Sequence, residues 1–303
     1  MPEKTIRGVV PILVTPFDQN GGVDEASLKS LIEFNIAAGV HGLGVALGSE
    51  VFKFNEAERD TVIRCVIRVV NGRVPVVINS GAAGTDLAIY YSRRAEELGA
   101  DALMIIPPTF MPVGAEEIAD YYRRISKAVS IPIFLQDVPQ GPIPPGMALR
   151  IAQECEHVRY IKVETLPITT KVADMARVAG DKLTIFGGAG GSYFIEEMRR
   201  GSVGTMPFCS QPGAFVEVWN RFQAGDERGA RQVFDANIMA INRLGQQGGD
   251  LFYHLHKQLL VRLGVIRSAA VRSPTITIDP VTQREIDGLL ADLVPAPKKF
   301  EAA

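Results

Sequence analysis

Short apolar segments rich in β-branched residues recur along the first two-thirds of the chain, and amphipathic segments separate them. We count eight apolar segments and predict that each is a strand: Gly8–Phe17, Gly42–Leu47, Pro75–Gly81, Ala102–Pro108, Ile131–Pro139, Tyr160–Thr165, Leu183–Gly190 and Gly204–Pro212. The segments between them predict helices: Ala26–Ala38, Glu56–Val70, Asp86–Leu98, Glu116–Val129, Met147–Glu154, Thr170–Val178 and Tyr193–Arg200. Nearly continuous apolar strands that alternate with helices are typical of a parallel sheet covered on both faces. Eight units in about 210 residues favour an α/β fold of the (β/α)8 TIM-barrel type over a doubly wound open sheet.

The strand pattern ends after Pro212, and four further segments predict helices: Ala214–Gln223, Glu227–Leu244, Leu251–Leu263 and Val281–Leu293. The first of these closes the barrel, and the others form a C-terminal helical appendage. We therefore predict a (β/α)8 barrel over residues 1–225 that carries the active site, followed by a helical region over residues 226–303.

Composition excludes several classes of function. Apolar residues make up 47% and charged residues 22% of the chain, which is typical of a globular protein and not of a disordered one. The net charge of −2 lacks the basic excess that nucleic-acid or anionic-membrane binding usually requires. The three cysteines have no CxxC spacing, and the N-terminal residues lack the pattern of a signal peptide. We expect a soluble cytoplasmic protein without a nucleic-acid or membrane partner.

The sixth predicted strand contains the most informative polar residues. Its period of two places Lys162 and Glu164 on one face, and Ile161 and Val163 on the other. Active sites of such barrels lie at the carboxyl ends of the strands, where Lys162 would be largely desolvated. Desolvation lowers the proton affinity of a lysine and makes it a nucleophile toward a carbonyl carbon. From the residues alone, a Schiff-base lysine and a buried ion pair that only fills the barrel both remain open.

Three further strand ends carry candidate binding groups. Gly48 and Ser49 end the second strand, where they offer N–H groups and a hydroxyl to a carboxylate or simply form a turn. Gln136 and Asp137 end the fifth strand and point to opposite faces, so only one of them reaches the cavity. The glycine-rich segment 187–191 follows the seventh strand, where barrels often bind phosphate, although tight-turn geometry explains glycine there equally well.

Several segments follow one another in an order that matches a known family. They are Gly8-Val9-Val10-Pro11 through Asp18, the turn into Asp24, Gly48-Ser49-Glu50, Asp137-Val138-Pro139 and Ile161-Lys162. Together they resemble the dihydrodipicolinate synthase / N-acetylneuraminate lyase family of Schiff-base-forming barrels, over residues 6–295. In that family the strand-six lysine forms an imine with a 2-oxo acid, so the resemblance implies this role for Lys162. It also implies no metal, no organic cofactor and a homotetramer built as a dimer of dimers.

Other positions depart from the family members that perform aldol chemistry. Their Gly-Thr-Thr-Gly-Glu end of strand two is Ala46-Leu47-Gly48-Ser49-Glu50 here, without either threonine. Gln136 stands where their proton-relay tyrosine is, and a glutamine does not titrate. Gly141 replaces the arginine that holds the second substrate of the synthase, and Pro108 and Thr109 replace a tyrosine pair after strand four.

These departures resemble a subgroup similar to 2-keto-3-deoxy-L-arabonate dehydratase. The matching segments are Gln136-Asp137-Val138-Pro139, Ser49-Glu50 and Lys162-Val163-Glu164-Thr165. The resemblance implies a lyase that eliminates water from a 2-keto-3-deoxy sugar acid, with Lys162 forming the imine. Because Glu164 shares its strand face, we predict that Glu164 is the acid and base.

The predicted substrate-binding residues are Gly48, Ser49, Gln136, Thr165 and Gly188. Two alternative functions stay open. One is a pyruvate-dependent aldolase or synthase, such as 4-hydroxy-tetrahydrodipicolinate synthase. The other is a non-catalytic relative that binds a 2-oxo acid through Lys162 but has lost turnover.

Overall fold

A computed structural model describes residues 5–111 and 113–301 of the chain. Its strands are β1 (Gly8–Val9), β2 (Leu43–Val45), β3 (Val76–Asn79), β4 (Ala102–Ile105), β5 (Ile133–Asp137), β6 (Val158–Val163), β7 (Thr184–Gly187) and β8 (Gly204–Thr205). Its helices are α1 (Glu25–Ala37), α2 (Glu56–Val70), α3 (Thr85–Glu97), α4 (Ala115–Ser126), α5 (Pro145–Glu154), α6 (Ile168–Ala179), α7 (Phe194–Met198), α8 (Pro212–Gln223), α9 (Glu227–Asn237), α10 (Met239–Gly245), α11 (Leu251–Arg262) and α12 (Pro280–Leu293). The predicted alternation of strands and helices is confirmed.

The eight strands form one parallel sheet in the order β1-β8-β7-β6-β5-β4-β3-β2. The backbone N–H of His41, just before β2, donates to the carbonyl of Val9 in β1 at 2.8 Å, so the two ends of the sheet meet. This is a (β/α)8 barrel, as the spacing of the apolar segments predicted. The register places Gln136 on β5 beside Lys162 on β6, and Lys162 beside Phe186 on β7.

Several strands are shorter than the apolar segments that predicted them, and proline explains the largest difference. The segment 8–17 was predicted as one strand, but β1 ends at Val9, and only single bridges follow at Ile12 and Phe17. Pro11 and Pro16 lie in that segment and have no N–H to donate to a neighbouring strand. The apolar character of these residues correctly predicted that they are buried, but it did not distinguish a strand from a buried loop.

The chain divides into two compact units. The first comprises Met1–Val10, His41–Ala46 and Pro75–Pro207, and it contains β1–β8 and α3–α7. The second comprises Pro11–Val40, Leu47–Val74 and Phe208–Ala303, and it contains α1, α2 and α8–α12. The predicted boundary at residue 225 stays a prediction. Among the described residues, no helix is both long enough and apolar enough to cross a membrane.

An aromatic layer fills the first unit's barrel just below the level of Lys162. The rings of Phe134 and Tyr160 stack with their centroids 4.4 Å apart, and Phe186 meets Phe134 edge-on at 5.5 Å. Phe134 and Tyr160 precede Gln136 and Lys162 by two residues on the same strands, so all four side chains share the inward face. The layer gives the lysine an apolar floor.

Candidate active site

Lys162 and Glu164 form an ion pair inside the barrel. The Nζ atom of Lys162 lies 3.0 Å from Oε1 of Glu164, which confirms that the two side chains share one face of the strand. Lys162 is 5% exposed, whereas the side chain of Glu164 is 16% exposed. The pair is therefore largely shielded from water, with the carboxylate nearer to solvent than the ammonium.

The carboxylate of Glu164 receives donors from three different elements. Besides Lys162 on β6, the side-chain amide of Gln136 on β5 donates to Oε2 at 3.1 Å, and the backbone N–H of Ala189 after β7 donates to Oε1 at 3.1 Å. Gln136 is 2% exposed, and its Oε1 atom has no hydrogen-bond partner among the described residues. Of the two residues that end β5, Gln136 is thus the one that reaches the barrel interior beside Glu164.

Asp137 points to the other face of β5 and holds the segment that follows β6. Its Oδ2 atom accepts from the hydroxyl of Thr165 at 2.7 Å and from the N–H of Thr165 at 3.1 Å. Its Oδ1 atom accepts from Nζ of Lys171 on α6 at 2.7 Å and from the N–H of Ile143 at 2.8 Å. Because the N–H of Glu164 also points to Oδ2, at 3.3 Å, the fully buried Asp137 fixes the backbone that carries Glu164.

Thr165 is therefore placed beside the catalytic candidates, but its hydroxyl lies in the Asp137 network, where Lys171 also donates to it. Its contact with substrate stays a prediction. Lys171 was not singled out from the sequence. Lys171 lies on α6 and Glu164 follows β6, so no helical or strand periodicity relates Lys171 to Glu164. Only the folded structure shows that the two are linked through Asp137.

The turn after β7 is shaped around Glu164. Ala189, Gly190 and Gly191 adopt left-handed backbone angles, with φ of 49°, 65° and 76°, and this conformation is uncommon for a residue with a side chain. A Cβ atom on Gly188 would lie only 2.3 Å from Cγ of Glu164, so a glycine is required for Glu164 to occupy its position. In this structure the glycine-rich turn binds a carboxylate of the protein itself.

Glu197 on α7 is a second carboxylate of this region that the sequence reasoning missed. It is fully buried, and among the described residues neither of its oxygens has a hydrogen-bond partner of regular geometry. Burial raises the pKa of Glu197 to about 8, and the negative charge of Glu164 acts in the same direction, whereas the backbone N–H of Gly188 has a smaller, opposite effect. The available signal was its position three residues after Phe194, because that spacing places both on the buried face of the helix.

Gly48 and Ser49 lie in the second unit, in a single 3-10 turn. The hydroxyl of Ser49 donates to the carbonyl of Leu13, and the carbonyl of Ser49 accepts from the hydroxyl of Thr15 at 2.8 Å. These bonds hold the turn against the segment that follows β1. The predicted contacts of Gly48 and Ser49 with substrate stay predictions.

Glu50 anchors the same turn through a buried ion cluster of the second unit. Its Oε1 atom accepts from Nζ of Lys257 on α11 at 2.6 Å, and its Oε2 atom accepts from Nζ of Lys53 and the N–H of Arg272, both at 3.1 Å. Burial lowers the pKa of Lys257 to about 8, while the charge of Glu50 opposes this shift. Glu50 itself has a left-handed φ of 59°, a conformation that its side-chain bonds help to hold.

The fold and this site thus define a class of protein: a (β/α)8 barrel with a buried lysine paired to a carboxylate at the carboxyl ends of its strands. Within residues 5–111 and 113–301, no group of three or more His, Cys, Asp or Glu side chains is placed to hold a metal ion. The sequence profile of the dihydrodipicolinate synthetase family matches residues 5–293. The chain belongs to this family of lyases, which confirms the resemblance that the motifs indicated.

Comparisons with individual proteins give the same family but two different activities. The L-2-keto-3-deoxyarabonate dehydratase of Azospirillum brasilense is 32% identical over 301 residues, which cover 95% of each chain. A 4-hydroxy-tetrahydrodipicolinate synthase of Thermodesulfovibrio yellowstonii is 30% identical over 232 residues, which cover 75% of this chain and 79% of the relative. The crystal structure of dihydrodipicolinate synthase from Rhodopseudomonas palustris superposes with a TM-score of 0.86 at 27% identity, covering 96% of this chain and 98% of that one.

Proposed function

We propose that this chain is a cytoplasmic dehydratase that removes water from a 2-keto-3-deoxy sugar acid through a Schiff base on Lys162. The observation that carries the proposal is the position of Glu164, whose carboxylate lies 3.0 Å from the Lys162 ammonium. The neighbouring Gln136 does not titrate, so Glu164 is the group available for proton transfer beside the lysine. The similarity to a dehydratase of L-2-keto-3-deoxyarabonate supports this substrate class.

The first stage is formation of the imine. Lys162 transfers a proton from Nζ to Oε1 of Glu164, and the neutral amine attacks the C2 carbonyl of the substrate. The proton held by Glu164 and a second proton from the attacking nitrogen pass to the oxygen that was the carbonyl, and this oxygen leaves as water to give a protonated imine. Proton transfer across the 3.0 Å contact with Glu164 supplies the neutral amine that the attack requires.

The second stage is loss of the C4 hydroxyl. The protonated imine withdraws electrons from C3, so Glu164 removes a C3 proton and an enamine forms. Glu164 then gives this proton to the C4 hydroxyl, which leaves as water while the enamine electrons form the C3–C4 double bond. Hydrolysis of the conjugated imine frees the product and restores Lys162. The same carboxyl group serves once as a base and once as an acid.

Substrate recognition is assigned to polar groups at the strand ends. The buried Oε1 of Gln136, which lacks a described partner, is suited to accept a hydrogen bond from a substrate hydroxyl. The resemblance to the family supports binding of the substrate carboxylate by Gly48 and Ser49, with Thr165 and Gly188 close to the imine. Removing the Ser49 hydroxyl with Ser49→Ala is expected to raise KM more than it lowers kcat.

A pyruvate-dependent synthase is the second candidate, because relatives at 30% identity are named 4-hydroxy-tetrahydrodipicolinate synthase. Purified protein should be incubated with a panel of 2-keto-3-deoxy acids and, separately, with pyruvate and aspartate semialdehyde. Mass spectrometry of the products decides between the two. Loss of one water from a sugar acid supports the dehydratase, whereas a condensation product supports the synthase. Borohydride trapping at Lys162 with no turnover in either mixture indicates a non-catalytic 2-oxo-acid-binding protein.

We also propose that the chain forms a homotetramer, as the family resemblance implies. The loop after β4 presents two large apolar side chains to solvent, Phe110 at 80% and Met111 at 66% exposure, and burial in an assembly would stabilise both. Light scattering of the purified protein measures the mass directly. A monomer at micromolar concentration would contradict the proposal.

A further inference from the structure

Two carboxyl groups lie on opposite sides of the same pair of glycines at the end of β7. The ring of Phe186 contacts the aromatic layer inside the barrel, so Gly187 faces outward to the helices and Gly188 faces inward. A Cβ on Gly187 would lie 1.7 Å from Oε2 of Glu197, and a Cβ on Gly188 would lie 2.3 Å from Cγ of Glu164. Glycine at both positions lets the two carboxyl groups approach the strand backbone from either side.

The surroundings of Glu197 disfavour a charged carboxylate. Neither oxygen has a described hydrogen-bond partner of regular geometry, and no described residue forms an ion pair with it. Burial raises the pKa of Glu197 by more than the backbone N–H of Gly188 lowers it. The register pairs Gly187 with Thr205 of β8, a residue whose buried hydroxyl also lacks a described partner. A single backbone N–H, that of Gly188, gives a buried carboxylate fewer donors than it requires.

The charged groups around Glu197 come from several elements. Glu164 lies across the strand backbone and Glu196 lies on the same helix, and both negative charges raise the pKa of Glu197. The Lys162 ammonium acts in the opposite direction, with a smaller effect. On the adjacent α6, Lys171 pairs with Asp137. The remaining charged pair of that helix, Asp174 and Arg177, is exposed and self-paired.

We propose that Glu197 sets the charge around the Lys162–Glu164 pair: while uncharged it allows Lys162 to form the imine, and once ionised it holds Lys162 protonated. The proposal rests on the Schiff-base function proposed above. Ionisation of Glu197 releases its proton to solvent and leaves a negative charge behind β7. That charge stabilises the Lys162 ammonium relative to the neutral amine that attacks the carbonyl, and we expect imine formation to slow about tenfold.

Glu197 acts through Lys162 and does not touch the substrate, so it is a positioning residue. Its role predicts a change in pH dependence and not simply a loss of activity. Below about pH 8 wild-type Glu197 is neutral, as a glutamine would be. Above about pH 8 the wild-type carboxylate is charged and the glutamine is not, so imine formation in the two proteins should diverge.

The experiment measures the rate of imine formation with pyruvate, quenched with borohydride, from about pH 6 to about pH 9.5. Wild type is compared with Glu197→Gln and with Glu197→Leu, an uncharged side chain that needs no hydrogen bond. The ratio of variant to wild-type rate is expected to rise about tenfold between the two ends of this range. The matched control is Asp174→Asn, which removes an exposed carboxylate from the adjacent α6 but leaves Glu197 and its surroundings unchanged, and its ratio should stay nearly constant.

A ratio for both Glu197 variants that does not change with pH overturns the proposal. If neither variant folds, infrared spectroscopy of the wild-type protein with isotope-labelled glutamate decides the charge state. A protonated carboxyl band that disappears with a midpoint near pH 8 supports the proposal, and its absence at pH 7 overturns it. Failure to trap any adduct on Lys162 in wild type would instead refute the Schiff-base function, so the two failures are distinguishable.

Discussion

Replacing Gly188 with alanine is expected to move Glu164, the acid and base of the proposed mechanism, without altering a charged group. The new Cβ would lie 2.3 Å from Cγ and 2.8 Å from Cδ of Glu164. Carbon atoms in contact prefer a separation of about 3.5 Å, so the Glu164 side chain has to move by about 1 Å. That shift lengthens the 3.0 Å contact with Lys162. Because a misplacement of about 1 Å in an active site costs about 10²-fold in rate, we expect dehydration to slow by about that factor.

The assay follows dehydration of the active 2-keto-3-deoxy acid in a single turnover and measures borohydride trapping at Lys162 separately. In Gly188→Ala, trapping should remain detectable because the lysine is unchanged, while water loss falls about 10²-fold. The control is Gly146→Ala, since a Cβ at this exposed helical glycine meets no atom within 4 Å. Wild-type turnover in Gly188→Ala would refute the reasoning that the position of Glu164 limits the reaction.

Four further substitutions have defined expected outcomes. Lys162→Ala should fold but lose both the borohydride adduct and turnover, as peptide mass spectrometry and product assays would show. Glu164→Gln should slow dehydration by about 10²–10⁴-fold while an adduct on Lys162 remains detectable; a parallel loss of both would make Glu164 an electrostatic partner only. Lys257→Met should lower the free energy of unfolding in urea by about 3–5 kcal/mol, because it leaves the buried carboxylate of Glu50 without its nearest cation. For Glu197, the raised pKa means that the native state holds a proton that the unfolded state releases between about pH 4.5 and about pH 8. Relative to Glu197→Gln, wild type should therefore lose stability as the pH rises through this window, by at most about 1.4 kcal/mol per pH unit. A stability difference that is constant with pH would show that Glu197 does not titrate there.

The barrel and the central ion pair were predictable because each depends on a local rule. Alternation of apolar and amphipathic segments specifies β and α units, and period two alone places Lys162 and Glu164 on one face. The capping box of α2 was equally local: Asn55 and Glu58 form the two reciprocal bonds that their spacing indicates. Where two helices meet within one apolar pattern, the rule fails, since the predicted helix 227–244 is two helices that meet at Ile238.

The rest of the site depends on contacts between residues that are distant in sequence. Asp137 binds Thr165 and Lys171, which follow it by 28 and 34 residues, and no periodicity relates these positions. Glu197 was hidden for a different reason. An acidic residue in a short helix is normally predicted to lie in solvent. Here the missing side chain of Gly187 leaves room for the Glu197 carboxyl group against the strand, and the sequence alone does not show that these two residues meet.

The three donors to Glu164 fit the proposal that this one carboxyl group serves two proton transfers, for which the resemblance assigns a tyrosine in the aldol-forming members of the family. Gln136, Lys162 and Ala189 belong to β5, β6 and the turn after β7, so three neighbouring strand ends fix the carboxylate. C3 and C4 of the substrate are bonded carbons about 1.5 Å apart, and a carboxyl group held between them needs little movement to reach both. The amide of Gln136 does not titrate, but it orients the Glu164 carboxylate by a hydrogen bond. Elimination needs no second titrating group at this position in the proposed mechanism. In the proposed mechanism the proton chemistry passes to Glu164, which contacts the Nζ atom of Lys162 in the structure.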